Sequence, residues 1–299
     1  MTVEQTRSAG AGLSAVVPVV RRRRRIRLGV VLRHAVLISF CLTIVLPLLW
    51  VVLLSLKTVP DSYSGHIWPA RWDVSNYAYA LTHIDTLPRN FLNSVTVTVA
   101  TILVTTLCAV LAGYAIVHWP VRGLGIAFAL LVGSMFFPTQ ITAVIGIWQI
   151  QKTLGLINTT YGLVPPYVTL SLALSVFIMR GIFETIPREL ADAARIDGCG
   201  PWRMLWHVML PLIRNGLVVV IIVNFVTAWG EYLLALTLTN DQEVRTLPVV
   251  LASAFGGVGE WSWSRIAAVY VMAIAPGLIG FAIAQRWYMK GLQEGALKS

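Results

Sequence analysis

The chain has 299 residues, of which 57% are hydrophobic and only 12% charged, and a mean hydropathy of +0.75 exceeds what a soluble domain covers with so few charges. A net charge of +10 would suggest nucleic acid in a soluble protein, yet six of the 23 basic residues form one run, residues 21–25 and Arg27, just before the first apolar stretch. That run reads as an anchor on anionic lipid, and no aromatic or glycine-rich companion motif supports nucleic-acid binding.

A helix needs about 20 mostly apolar residues to cross the hydrocarbon core. Six stretches qualify: residues 30–56, 91–117, 124–148, 161–180, 211–238 and 265–287. They are too long, and lack the period of two, for the strands of an outer-membrane barrel. The first is long enough to span, and Ser55, Leu56 and Lys57 follow it with no small-x-small cleavage site, so it reads as a retained helix. Between spans one and two lies a long loop with Tyr63, Trp68, Trp72, Tyr77 and Tyr79, residues suited to a membrane–water interface. Span two carries Ser94, Thr96, Thr98, Thr101, Thr105 and Thr106, hydroxyls that suit helix–helix packing. Pro47, Pro138, Pro165 and Pro166 interrupt spans and mark kinks. With the N-terminus inside, the inner segments hold 17 of the 23 basic residues, which places both termini in the cytosol.

The expected architecture is an all-α integral membrane protein of six transmembrane helices. It divides into a basic cytosolic tail (1–29), a first helix with its outer loop (30–90), a core of five helices (91–288) containing an inner loop at 184–210, and a cytosolic tail (289–299).

Several chemistries find no support. Glu231 is the sole acidic residue inside an expected span, so the buried carboxylates of an ion-coupled carrier are wanting. No G-x-x-x-x-G-K-[ST] occurs to cradle a nucleotide phosphate. Cys41, Cys108 and Cys199 and the five histidines have no metal-ligand spacing, and no catalytic set recurs. The chain therefore reads as neither an enzyme nor a holder of metal or cofactor, with its energy supplied from elsewhere.

The inner loop between spans four and five reads as two short helices. Pro187 suits a first turn, with Glu189 and Asp192 near its positive end; Ala191, Ala193 and Ala194 favour helix and present little bulk. Gly198 supplies a left-handed stop, and Pro201 restarts a helix behind Gly200. The residues alone leave an ordinary connection and a docking element as equal readings.

The sequence Asp192-Ala193-Ala194, then Gly198, then Val208-Met209-Leu210-Pro211 resembles the E-A-A-x-x-x-G…I-x-L-P loop of ABC-importer permeases, with matching spacing and two conservative departures, Asp192 and Val208. Ser55-Leu56-Lys57, Asn93-Ser94, residues 154–159 and the tail at 290–298 resemble the carbohydrate-uptake branch of that family. Ala228-Trp229-Gly230-Glu231-Tyr232 does too, with Gly230 where the branch has Asn. The resemblance implies a type I ABC importer permease fold and a permease subunit that moves a sugar or oligosaccharide delivered by an extracytoplasmic binding protein. It further implies a second, homologous permease, two ATPase subunits that hold the ATP and Mg, and a multi-pass place in a bacterial plasma membrane.

By resemblance, Asp192, Ala193, Ala194, Asp197, Gly198 and Pro211 couple to the ATPase. Phe255, Gly256, Gly257, Glu260 and Trp261 meet the binding protein. Asn224, Thr227, Trp229 and Glu231 are candidates for the pathway, with core packing an equal reading for each. A permease for glycerol-phosphate, an amino acid or a peptide is the alternative within the family, and an ion-coupled carrier the alternative outside it.

Overall fold

Helices account for all the extended secondary structure in the computed structural model, which describes residues 28–119, 121–136, 143–256 and 261–296. The N-terminal basic run falls outside those residues. The chain divides into two units, residues 1–48 and 49–299. Helix α1 (Leu28–Ser55) runs through the division, apolar from Ala35 onward apart from a few hydroxyls, with Arg33 and His34 near its start and Pro47 inside it.

The second unit continues with α2 (Ser75–His83), α3 (Leu87–His118), α4 (Leu124–Gly133), α5 (Val144–Thr153), α6 (Val164–Glu184), α7 (Arg188–Ile196), α8 (Pro201–Leu212), α9 (Arg214–Trp229), α10 (Leu233–Leu238), α11 (Leu247–Gly256) and α12 (Trp263–Ala296). Helix α3 lies along α6, and α9 packs against both. Their approach is close because Gly113 has no side chain: a Cβ there would sit 3.0 Å from the Met179 Cβ and 3.1 Å from the Arg180 backbone nitrogen. Ala109, Val110 and Tyr114 of α3 meet Val176, Met179 and Phe183 of α6 in a core that also takes in α7, α8 and α9. Ser94, Thr98, Thr101 and Thr105 fall on one face of α3 and are all buried, as expected of hydroxyls inside a helix interface. The outward side chains of α3 and α4 are apolar and exposed, among them Leu103 at 65% and Leu130 at 71%, the surface of a helix in lipid.

Among the described residues, four helices are long and apolar enough to cross a membrane, or five if the bent pair α8–α9 counts as one span. The six expected spans are therefore not all continuous helices among the described residues. Within residues 124–148 the described residues hold α4, extended by a single 3-10 turn at Ser134–Phe136, and the start of α5. At 1.5 Å per residue neither piece approaches the ~30 Å of a hydrocarbon core. Pro138 lies outside the described residues. The stretch 211–238 breaks twice, at an 82° bend before α9 and again between Trp229 and Leu233. The segment 240–264, between the expected spans 211–238 and 265–287, is also more than a loop: Leu247, Val249, Val250 and Leu251 are buried, and α11 packs against α3 and α12.

Candidate coupling and translocation site

Helix α7 begins after Pro187, whose extended ψ of 134° delivers the chain, and carries Glu189 in its first turn and Arg195 in its last, charges placed to suit the helix dipole. Arg195 donates to Asp192 at 2.9 Å along the surface. The helix closes with Asp197 N–H on the Ala193 carbonyl (3.0 Å), Gly198 N–H on Arg195 (3.0 Å) and Cys199 N–H on Ala194 (2.9 Å). Gly198 turns the chain at φ +76°, the left-handed region that favours glycine. Gly200 is extended and caps α8, with Pro201 in its first turn. The Tyr114 hydroxyl of α3 donates to the Pro201 carbonyl at 3.1 Å, tying the second short helix to the bundle.

The two alanine positions behave differently. Ala191 and Ala194 are buried against the core that α3, α6 and α8 share, so Ala194 faces the chain's own interior. Asp192, Ala193, Asp197 and Gly198 are exposed. With them stand two side chains that the motif does not mark: Ile196, 87% exposed, and Trp202, 61% exposed. Their signal in the sequence is bulk on a loop otherwise made of small and charged residues. Pro211 is exposed in the last turn of α8, just before the 82° bend at Ile213. The turn preceding it, Leu205–Met209, is wound as a π-helix.

The four pathway candidates do not share one space. Asn224 is fully buried and accepts from the Ser175 hydroxyl at 3.0 Å. The Trp229 indole N–H donates to the Ala273 carbonyl (3.1 Å), and its ring stacks on Phe225 with centroids 5.6 Å apart. It lines an apolar cavity of about 650 Å³ with Phe225, Tyr232 and Tyr270. Thr227 and Glu231 line a second, more polar cavity of about 410 Å³ with Gly230 and Tyr232. The Glu231 carboxylate accepts from the backbone N–H groups of Leu234 (2.8 Å) and Ala235 (3.1 Å), which caps α10. Glu231 therefore sits at a helix break rather than within a span.

The opposite end of the bundle from α7 is held by polar clasps. Asn158, at φ +60°, donates to the Asp241 carboxylate (2.6 Å) and accepts from the backbone N–H groups of Asn240 and Asp241. Asn90 and Asn93 donate to carbonyls within residues 242–245, Ser94 accepts the Leu247 N–H at 2.8 Å, and Arg89 pairs with Glu243. Lys57 is buried and donates to the His66 carbonyl, and Asn76 donates to the carbonyls of Ser55 (2.9 Å) and Lys57 (2.8 Å). Of the residues expected to meet a binding protein, Phe255 and Gly256 end α11, Gly257 and Glu260 lie outside the described residues, and Trp261 is half-buried edge-on to Tyr79 at 5.9 Å.

Residues 24–292 match the family described as binding-protein-dependent transport system inner membrane component. The chain is 30% identical over 267 residues to the diacetylchitobiose uptake system permease protein of Streptomyces coelicolor, covering 89% of this chain and 88% of the relative. It is 32% identical to the trehalose transport system permease protein of Mycobacterium tuberculosis, covering 85% and 92% of the two chains. A chain of a bacterial ABC transporter involved in import of the acidic polysaccharide alginate shares the fold, with a TM-score of 0.78 at 23% identity over 89% of this chain and 98% of that one.

Proposed function

The chain belongs to the family of binding-protein-dependent transport system inner membrane components, and from that premise we propose that it is the permease subunit of an ATP-driven sugar importer. It moves a sugar or oligosaccharide handed over by an extracytoplasmic binding protein. Hydrolysis of ATP, with its Mg, takes place on two separate ATPase subunits, and a second, homologous permease completes the pore in a bacterial plasma membrane. Six crossings with both termini in the cytosol agree with the basic residues and with α4 and α5 forming the two halves of one crossing.

The observation that carries this reading is the pair α7–α8, two short helices reversed at Gly198, with an exposed face held clear of the helical core. Asp192, Ala193, Asp197 and Gly198 lie on that face, and Ile196 and Trp202 add the apolar anchors that a docked interface needs. Ala194 supports the element from behind, and Pro211 ends the helix that leads to the bend. Thr227, Trp229 and Glu231 border the pathway, while Asn224 braces α6 against α9. The binding protein meets the chain at Phe255, Gly256, Gly257, Glu260 and Trp261.

Reconstitution with the cognate ATPase, second permease and binding protein tests this, with labelled oligosaccharide uptake as the readout. Uptake depends on all four components, and Ile196→Asp abolishes ATPase co-purification while thermal unfolding stays within about 0.5 kcal/mol of wild type, as for other exposed positions. Uptake by the chain alone would refute the proposal.

A further inference from the structure

Beside the coupling helix is a cleft of about 780 Å³, bounded by the last turn of α3, the start of α4, the last turn of α6 and the inner side of α7. Three guanidinium groups line it. Arg180 is held in place by Glu184 at 2.8 Å and by the Phe128 ring, 4.4 Å from its centroid. Arg195 is engaged by Asp192 at 2.9 Å. Arg188 has no carboxylate within ion-pair distance among the described residues, so the cleft carries one uncompensated positive charge. His118 also lines it, and its Nε2 is buried without a hydrogen-bond partner. A guanidinium ordinarily engages an oxygen-rich partner, so the unpaired Arg188 marks a place in the cleft for one.

The other wall is apolar. Val121, Leu124 and Phe128 continue onto the outward side of α4, where Ile126 is 69% and Leu130 71% exposed. Trp119 stands at the rim, 41% exposed, as aromatic residues do at a membrane interface. A charged end and a hydrocarbon end within one cleft, at the level where two long helices leave the apolar core, match a molecule of the same polarity. The volume far exceeds that of a phosphate ion.

We propose that this cleft binds the phosphodiester headgroup of an anionic phospholipid, with Arg188 on the phosphate and an acyl chain along α4. A basic pocket between helices at the membrane edge is a known form of lipid-headgroup site. The site lies directly behind α7, so its occupancy braces the coupling helix. It rests on the proposed function only for which leaflet supplies the lipid.

The test is native mass spectrometry of the assembled transporter in phosphatidylcholine nanodiscs doped with phosphatidylglycerol. Lipid retained through delipidation is counted without reference to transport. Wild type is expected to keep a phosphatidylglycerol that Arg188→Gln binds about tenfold more weakly, the effect of losing one charge-assisted contact. Arg188→Lys should keep most of it, and Arg203→Gln, outside the cleft, all of it. Equal retention by Arg188→Gln and wild type overturns the proposal, as does wild type retaining no anionic lipid. If Arg188→Gln does not assemble, inorganic phosphate added to wild type decides: lipid left in place supports a phospholipid site, and lipid displaced by phosphate alone makes it a free-anion site. Failure of the ATPase to co-purify would count against the proposed function while leaving the lipid count on the permease readable.

Discussion

Gly198 does its work through backbone alone. A Cβ at this position would meet nothing within 4 Å, so any penalty on substitution comes from φ +76° and not from crowding. A β-branched side chain is strained there by roughly 1–2 kcal/mol. Gly198→Val should leave the bundle folded, shift the turn between α7 and α8, and lower sugar-stimulated ATPase activity; full stimulation would show that the turn is not needed. Asp61, in the loop between α1 and α2, works by hydrogen bonding. The Ala70 backbone N–H (2.9 Å), aided by the Ser64 hydroxyl, holds its carboxyl below the ordinary value of 3.8. A depressed carboxyl favours the folded loop above that ordinary value, and the contribution disappears as pH falls through the folded one. Proteolysis of the loop should thus be flat from about pH 7 to about pH 5 and rise only in acid, and Asp61→Ala should remove the step.

Between elements, packing decides what one side chain can do. Gly113→Ala brings a methyl against backbone of α6, which cannot retreat as a side-chain tip can, and should cost about 1–3 kcal/mol in thermal unfolding of the detergent-solubilised protein. An unchanged midpoint would mean that α3 and α6 separate freely. Glu231 poses a sharper question, because it is both a cap and a pathway candidate. Glu231→Ala removes the cap of α10 and should cost about 1 kcal/mol. Glu231→Gln keeps an acceptor, so it should restore much of that stability; if uptake is lost equally in both variants, the charge serves the sugar and not the helix. This double character explains where the sequence could and could not be read. Long apolar runs gave α1, α3, α6 and α12 directly, and the helix signals at Pro187, Gly198 and Pro201 gave the pair α7–α8. The break at Gly230–Glu231 was hidden, because apolar content does not record continuity. Helix α11 was missed because its buried apolar residues, Leu247, Val249, Val250 and Leu251, form a stretch too short to register as a span.

For the molecule as a whole, many of the residues that carry the family resemblance, the shared loop and pieces of one branch, collect at two ends. Asn93, Ser94, Asn158, Ser55 and Lys57 form clasps at one end, and the turned pair α7–α8 occupies the other. None of the clasp chemistry was legible beforehand, since which carbonyl an asparagine reaches depends on tertiary approach. Ile213, buried where α8 meets α9 at 82°, gives the intervening chain its mechanical character. Two arms fixed near a right angle act as a bell crank, turning thrust along one arm into a sideways swing of the other. Helix α9 has 16 residues, so its far end, where Trp229 stacks, lies roughly 24 Å from the pivot. A rotation of about 10° would carry that ring about 4 Å, close to the thickness of an aromatic ring, and so move a side chain into or out of a sugar's way.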